Sequence, residues 1–161
     1  MLGHDSLLAL ALACAPLIDP ETALRLIRHE SRGNPYAIGI NGPFRLSHQP
    51  TTKAQAVSIA QTLIEAGVSV DMGLGMINSA NMRRLNVTVG DLFDPCANLR
   101  AMQQVLGQNY ARAVKRRGPG QQALQEALSE YNTGSPTRGL HNGYVGKIYG
   151  LSQQTPGGAK P

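Results

Sequence analysis

The sequence predicts a mainly α-helical fold because of its length, its few aromatic residues and the spacing of its apolar residues. The chain has 161 residues, of which 42% are hydrophobic, enough for one core in a single domain. Only 4% are aromatic and tryptophan is absent, whereas β-sandwiches depend on aromatic and β-branched residues. Leu, Ala, Ile and Val recur instead at helical spacing. We therefore expect a helical domain over residues 1–151 with at most a short β-hairpin.

The first helix is expected between Leu7 and Ala15. This apolar stretch is similar to the core of a signal peptide, but no basic segment precedes it and Asp5 stands just before it. We interpret it as the first helix of a mature domain. No segment of the chain is long and apolar enough to predict a transmembrane span.

The second helix carries the strongest boundary signals. Asp19 is a capping residue and Pro20 suits the first helical position. Ala23 and Ile27 then form an apolar stripe that runs to Glu30. The helix is expected to end near residue 33, where Gly33 is followed by Asn34-Pro35.

Further along, turns and a short hairpin through Leu46 are expected from residue 38 onward. Either Thr51 or Thr52 can cap a helix that stops at Gly67, and a glycine-bearing loop over 68–78 follows. The inward positions of this helix are expected at Ala56, Ile59, Ala60, Leu63 and Ile64.

Asp94 repeats the signal of a capping residue followed by proline, and it predicts a long helix that ends before residue 118. Another helix is expected from about residue 123, then a polar loop over 135–143 and a last helix over 144–151. Residues 152–161 are expected to be a flexible tail, because Pro and Gly dominate their end.

The chain is basic, with 15 Lys and Arg residues against 10 Asp and Glu and a net charge of +5. This charge suits an anionic partner such as nucleic acid, a membrane surface or an acidic cell wall. Arg83-Arg84 and the basic residues 115–117 lie at expected helix ends, where cations complement the helix dipole. We interpret them as solvated helix ends rather than a nucleic-acid surface.

The two cysteines, Cys14 and Cys96, lie far apart in the sequence. They can be two buried thiols or one disulfide that closes a long loop, and the pair alone does not decide the compartment. A bridge across such a loop would stabilise the fold by roughly 4 kcal/mol in the chain-entropy model.

Glu30 is the main candidate for chemistry. It prolongs the apolar stripe of its helix at the point where the helix stops, so its carboxyl should be partly desolvated. Desolvation raises the pKa of a carboxyl, as a general acid acting on a glycosidic oxygen requires. By itself this position does not distinguish Glu30 from a solvated surface glutamate.

Five short motifs occur in a fixed order. They are His29-Glu30-Ser31 with Asn34-Pro35, Gly73-Leu74-Gly75-Met76-Ile77-Asn78, Asn98-Leu99, Tyr131-Asn132 and Tyr144-Val145. Together they resemble the lytic transglycosylases related to goose-type lysozyme, and specifically the branch that accompanies conjugation and type IV secretion systems. The resemblance covers roughly residues 7–149, and it implies a lysozyme-like fold.

The resemblance assigns roles to individual residues. It implies that Glu30 is the catalytic acid and base, that Ser31 lies beside it in the cleft, and that Tyr131 reaches the catalytic carboxyl. It also implies a sugar groove lined by the glycine-rich loop and by the Tyr-Asn and Tyr-Val motifs, with substrate-binding residues Leu74, Gly75, Met76, Asn132 and Tyr144. In exported members of that branch, cysteines placed like Cys14 and Cys96 form a disulfide, so we expect this bridge and a periplasmic location.

The implied reaction uses one carboxyl. We interpret Glu65, Asp71, Asp91 and Asp94 as helix-end or turn residues, so no second carboxylate stands in an obvious partner position. The resemblance then implies that Glu30 protonates the bond between N-acetylmuramic acid and N-acetylglucosamine, and that the muramoyl 6-hydroxyl attacks to give a 1,6-anhydro end. The expected partners are peptidoglycan strands and envelope-spanning secretion or conjugation proteins. No cofactor or metal is expected.

Two departures from the family pattern keep alternatives open. The family usually carries glutamine where this chain has Met76, and broader relatives often carry serine near Gly39; methionine cannot make the hydrogen bonds of an amide. One alternative is therefore a catalytically weak or inactive peptidoglycan-binding assembly protein, and another is a hydrolytic muramidase. A third is a cysteine peptidase that uses Cys96 in the first turn of a helix with His141 downstream.

Overall fold

The computed structural model describes residues 1–149, and it confirms the mainly helical prediction. Helices alternate with a small antiparallel sheet in the first half of the chain, and the described part of the second half contains only helices. The helices are α1 (His4–Cys14), α2 (Pro20–Ser31), α3 (Lys53–Glu65), α4 (Met82–Leu85), α5 (Val89–Leu92), α6 (Pro95–Arg117), α7 (Gln121–Thr133), α8 (Arg138–His141) and α9 (Tyr144–Tyr149). The strands are β1 (Ile38–Ile40), β2 (Val70–Met72) and β3 (Ile77–Asn78).

The chain forms two compact units, one comprising residues 1–102 and the other beginning at residue 103. The expected boundary at residue 151 and the expected tail over 152–161 lie outside the described residues.

Helix α2 forms as its boundary signals predict. The Asp19 carboxylate accepts a hydrogen bond from the Thr22 amide at 3.0 Å, and Pro20 occupies the first turn. Its apolar stripe is fully buried, including Ala23 and Ile27. The helix ends because Arg32 adopts a left-handed conformation with φ of 57°.

The later helices also begin at their predicted caps. Thr52, rather than Thr51, caps α3 by accepting from the Gln55 amide at 3.2 Å. Asp94 accepts from the Ala97 amide at 2.9 Å at the start of α6. The four-residue helices α4 and α5 were not predicted, because elements that short show too little apolar periodicity.

The sheet corrects two expectations. The hairpin expected through Leu46 is wrong, because β1 pairs with β2, and the loop expected over 68–78 instead contains β2 and β3. The strand order is β1-β2-β3, with both pairs antiparallel. On the other side of β1, the Gln49 side chain accepts from the Ile38 amide at 2.8 Å and donates to the Ile38 carbonyl at 3.0 Å. This side-chain amide takes the place that a neighbouring strand would occupy.

A disulfide joins Cys14, the last residue of α1, to Cys96 in the first turn of α6, with 5.3 Å between the two Cα atoms. The bridge confirms the pairing that the resemblance implied. It also rules out the cysteine-peptidase alternative for this structure, because a bonded Cys96 has no thiolate to act as a nucleophile.

The basic residues 115–117 lie exposed in the last turn of α6, as predicted. Arg116 and Arg117 also form ion pairs with Glu126 of α7, whose side chain is buried. Arg116 lies 3.0 Å from the Glu126 carboxylate. The polar loop expected over 135–143 contains the short helix α8, and α9 begins at Tyr144 as predicted.

Removing the disulfide should lower stability markedly. The bridge closes a sequence separation of 82 residues, so the double variant Cys14→Ala/Cys96→Ala should lose about 4 kcal/mol of unfolding free energy because its unfolded chain is less constrained. Urea unfolding measures this loss. A reductant should destabilise the wild type to a similar extent and leave the variant unchanged, and equal midpoints for wild type and variant would contradict the prediction.

Candidate active site

Glu30 lies in the last turn of α2, one residue before the helix ends. Its side chain is half-buried, between the fully buried Ile27 one turn earlier and the exposed backbone turn at Arg32. The position therefore combines partial desolvation with access to solvent, as expected for a group that exchanges a proton with a bound substrate.

Ser31 secures the helix end beside Glu30. Its hydroxyl donates to the Ile27 carbonyl at 3.1 Å and accepts from the Gly33 amide at 3.2 Å, and the side chain is buried. Ser31 was expected in the cleft as a substrate contact. The structure instead gives its hydroxyl a part in holding the turn that follows Glu30.

The glycine-rich turn between β2 and β3 is held by Asn98, a fully buried residue near the start of α6. The Asn98 amide donates to the carbonyls of Met72 and Leu92 at 2.8 and 2.7 Å, and its oxygen accepts from the Gly75 amide at 2.7 Å. A Cβ at Gly73 would lie 2.2 Å from the Asn98 amide nitrogen, and Gly73 has φ of +78°. Only glycine fits this position.

The expected groove residues of this turn differ in exposure. Leu74 is fully buried and Gly75 is buried, so both support the turn from the protein side. Met76 is half-buried and adopts φ of +50°, a left-handed conformation that is rare for methionine.

The two departures from the family pattern are in contact. A Cβ built at Gly39 in β1 would lie 2.8 Å from the terminal methyl of Met76. Met76 therefore occupies space that a side chain at position 39 would need. The absence of a side chain at one position and the bulk of the other belong to the same packing arrangement.

One face of the sheet carries a network of polar side chains around Asp71. This residue lies in β2 between Val70 and Met72, which are fully buried, so its side chain projects from the opposite face. The amide of Asn78 donates to one Asp71 oxygen at 2.8 Å, and the amide of Asn41 donates to the other at 3.2 Å. The interpretation of Asp71 as a helix-end or turn residue was wrong, because strand periodicity over three residues is too short to detect in the sequence.

The same two amides also bind Ser69. The Asn41 and Asn78 amide groups donate to its hydroxyl at 3.2 and 2.9 Å. Burial raises the pKa of Asp71, and the hydrogen bonds from Asn78 and Asn41 oppose that rise. By contrast, hydrogen bonds from Thr88 lower the pKa of Asp91 at the exposed start of α5.

The second unit holds the remaining expected site residues. Tyr131, near the end of α7, is half-buried, whereas Asn132 is exposed and its side-chain oxygen accepts from the Asn142 amide at 2.9 Å. Tyr144 begins α9, is buried, and donates its backbone amide to the Asn142 side chain at 2.9 Å. Asn142, which the sequence did not indicate, therefore connects two of the expected residues.

Residues 1–149 contain neither a cluster of potential metal ligands nor a membrane-spanning helix. No three His, Cys, Asp or Glu side chains are grouped as metal ligands would be in this part of the chain. No helix among these residues has the length and apolar character required to cross a membrane.

The family is established by sequence comparison. The profile of the family described as Transglycosylase SLT domain matches residues 8–147. The chain therefore belongs to the SLT transglycosylase domain family, and its helical fold with a small antiparallel sheet is the lysozyme-like fold of that domain.

Two relatives carry the name virB1. The chain is 36% identical over 154 residues to the type IV secretion system protein virB1 of Brucella abortus biovar 1, covering 92% of this chain and 64% of that protein. It is 36% identical over 141 residues to protein virB1 of Agrobacterium fabrum, covering 88% and 57%. The chain thus spans less than two thirds of the length of these relatives. No solved structure matches it.

The contact between Gly39 and Met76 predicts coupled effects on stability. Gly39→Ala should lower the free energy of unfolding by about 1 kcal/mol, because the new methyl group displaces the flexible end of Met76. The same substitution in a Met76→Ala background should lower the free energy of unfolding by much less. A double-mutant cycle by thermal or urea unfolding measures the coupling, and strictly additive losses would show that the two residues do not compete for space.

The raised pKa of Asp71 predicts a pH dependence of stability. The folded protein holds this proton more tightly than the unfolded chain, whose carboxyl titrates near the ordinary value of 3.8. The contribution of Asp71 to stability is therefore greatest below that pH and falls as the pH rises through the folded-state pKa. Asp71→Asn has no titrating carboxyl at this position. The difference in unfolding free energy between variant and wild type, measured by urea unfolding, should therefore shift in favour of the variant as the pH rises from acidic to neutral. Parallel pH profiles would contradict the assignment.

Proposed function

We propose that this protein is a peptidoglycan lytic transglycosylase whose catalytic acid and base is Glu30. The observation that carries the proposal is the position of Glu30: it is half-buried at the end of α2, with Ser31 holding the turn beside it. Membership of the SLT transglycosylase family supports this role. A half-buried carboxyl at a fixed helix end suits proton transfer to a substrate oxygen.

The proposed reaction cleaves the β-1,4 bond between N-acetylmuramic acid and N-acetylglucosamine. Glu30 donates its proton to the glycosidic oxygen as the bond from that oxygen to the anomeric carbon breaks. As a carboxylate it then accepts the proton of the muramoyl 6-hydroxyl, whose oxygen bonds to the same anomeric carbon. The product carries a 1,6-anhydromuramoyl end, and no water is consumed.

The proposed substrate contacts are residues of the motifs that carry the family resemblance. Met76 is the most accessible of the turn residues, and Tyr131, Asn132 and Tyr144 are proposed for the second unit. Ser31, Leu74 and Gly75 act on the substrate indirectly, since their polar groups or side chains are engaged within the protein.

We also propose where in the cell this activity is used. The Brucella relative is by name a type IV secretion system protein, and local opening of the cell wall for an envelope-spanning secretion or conjugation apparatus fits a peptidoglycan-cleaving domain. The Cys14–Cys96 disulfide suits the oxidising periplasm. A net charge of +5 suits the acidic wall.

One observation favours a second candidate, a weak or inactive peptidoglycan-binding protein. Met76 replaces a glutamine expected from the family pattern, and its side chain packs over Gly39. Without that amide, substrate positioning loses hydrogen bonds. Such a protein would bind glycan strands without releasing muropeptides, and a hydrolytic muramidase would release reducing ends in place of anhydro ends.

Replacing Glu30 by glutamine tests the proposal. Glu30→Gln should reduce the release of muropeptides from purified peptidoglycan by about 10² to 10⁴ fold, because it removes proton transfer at similar size. Glu65→Gln is the matched control, since Glu65 is an exposed glutamate at the end of α3, and it should retain full activity.

Mass spectrometry of the released muropeptides identifies the reaction. Products lighter than the hydrolytic ones by one water molecule mark anhydro ends and support the transglycosylase. Products at the hydrolytic mass would favour the muramidase, and glycan binding without any product would favour the assembly protein. Near-normal cleavage by Glu30→Gln would contradict the assignment of the catalytic residue.

A further inference from the structure

We propose that helix α1 is a brace that positions Glu30 against the glycine-rich turn. Leu2 is the positioning residue at the start of this brace, and the Cys14–Cys96 disulfide is the anchor at its end. The inference rests on the proposed function and adds groups that act on catalysis through Glu30. It implies that full activity requires the oxidised bridge.

Glu30 needs support because it lies at a helix end. The last turn of a helix has carbonyl groups without intrahelical partners, and it opens more easily than the middle. Glu30 is one residue before the end of α2. The next two residues, Arg32 and Gly33, have φ of 57° and 81°, so the chain turns away from the helix there. The direction of the Glu30 side chain therefore depends on what holds this turn.

The residues before α1 hold the turn through Gly33. The Leu2 amide donates to the Gly33 carbonyl at 2.8 Å, while the Gly33 amide donates to the Ser31 hydroxyl at 3.2 Å. Both backbone groups of Gly33 are thus engaged. A Cβ at Gly33 would lie 3.0 Å from the Leu2 carbonyl oxygen and 3.2 Å from a methyl group of Leu7. The start of the chain and the turn are therefore in close contact.

A side-chain contact adds a second link between α1 and α2. The Arg28 guanidinium donates to Nδ1 of His4, the first residue of α1. A guanidinium can only donate, so His4 accepts through this nitrogen. On the buried face of α1, Leu7 and Ala11 are almost fully buried, and the helix packs against α2. Helix α2 is thus held by α1 two residues before Glu30, and its end is held just after it.

The far end of α1 is anchored covalently. Cys14, its last residue, is bonded to Cys96 in the first turn of α6. Two residues further along α6, the Asn98 side chain accepts from the Gly75 amide of the glycine-rich turn at 2.7 Å. With 11 residues, α1 spans roughly 16 Å. It therefore connects the turn after Glu30 to the part of α6 that holds the glycine-rich turn.

A second connection makes this brace effective. The Gly73 amide donates to the Ala37 carbonyl at 2.9 Å, which ties the chain beyond the Glu30 turn directly to the glycine-rich turn. A helix end with this attachment alone can still tilt about it. With α1 as a second attachment, both the distance and the direction from Glu30 to the glycine-rich turn are fixed. Catalysis depends on such geometry, since a displacement of about 1 Å can lower the rate by about 10² fold.

Removing one amide hydrogen tests the brace at its Glu30 end. Leu2→Pro eliminates the N–H that donates to Gly33. It should lower kcat for purified peptidoglycan by about 10 to 10² fold with little change in KM, because Glu30 is displaced while the groove remains.

Gly3→Pro is the matched control. Gly3 has φ of −78°, which proline adopts, and a Cβ there has no neighbour within 4 Å. Within residues 1–149 its amide donates no backbone hydrogen bond. The variant therefore places a proline one residue later without removing the link to Gly33, and it should keep the wild-type kcat.

The pH profile of kcat separates positioning from stability. Loss of folded protein lowers kcat without moving the profile, whereas a carboxyl that becomes more exposed to water has a lower pKa. With both variants assayed well below their melting temperatures, the alkaline limb of the profile should move to lower pH in Leu2→Pro and stay in place in Gly3→Pro. A Leu2→Pro variant with the wild-type kcat overturns the inference, and so does a lowered kcat with an unmoved profile.

Reduction tests the anchored end. In an osmolyte that favours the folded state, at a temperature where circular dichroism shows the reduced protein folded, a thiol reductant should lower the kcat of the wild type by a similar factor. It should lower the kcat of Leu2→Pro little further, because the other end of the brace is already released. Cys14→Ala/Cys96→Ala controls for direct effects of the reductant and should not respond to it. Folded, reduced wild type with an unchanged kcat, or strictly multiplicative losses, overturns the coupling.

The same assays separate this inference from the proposed function. Wild-type protein that releases no muropeptide contradicts the proposed function and, with it, this inference. Wild-type cleavage with a fully active Leu2→Pro contradicts only this inference. Glu30→Gln sets the lower limit of activity, since it removes the group that the brace positions.

Discussion

The buried side chain of Asn98 joins three backbone segments around the glycine-rich turn. Its amide nitrogen donates to the end of β2 and to the carbonyl of Leu92, and its oxygen accepts from Gly75 in the turn before β3. Because all three partners are backbone groups, the position of the turn is set by hydrogen bonds that would be costly to leave unmade in the interior. Gly73 permits the close approach, since any Cβ there would overlap Asn98.

The two faces of the sheet next to Asn98 differ in character. Val70 and Met72 continue the core, and Asp71 between them carries the polar network with Asn41 and Asn78. The disulfide ties α1 to the first turn of α6, two residues before Asn98. The covalent bond and the buried amide thus hold the same turn of α6 to two different parts of the unit.

The two departures from the family pattern, Gly39 and Met76, pack against each other. Taken singly, Gly39 lacks a side chain and Met76 lacks an amide; together they form one contact in which the methionine methyl occupies the space that the glycine leaves. The same contact lies beside the Asp71 carboxylate. The two positions therefore share one packing arrangement on this face of the sheet.

The long helices, their caps at Asp19, Thr52 and Asp94, and the place of Glu30 at a helix end were determined by the sequence itself. Capping and apolar periodicity act within a few neighbouring residues, so they can be recognised along the chain. The sheet, the neighbours of Asp71 and the contact of Gly39 with Met76 were decided only by the tertiary structure. These features join segments far apart in sequence, as Asn41 and Asp71 are by 30 residues, and their strands are too short to show a period of their own.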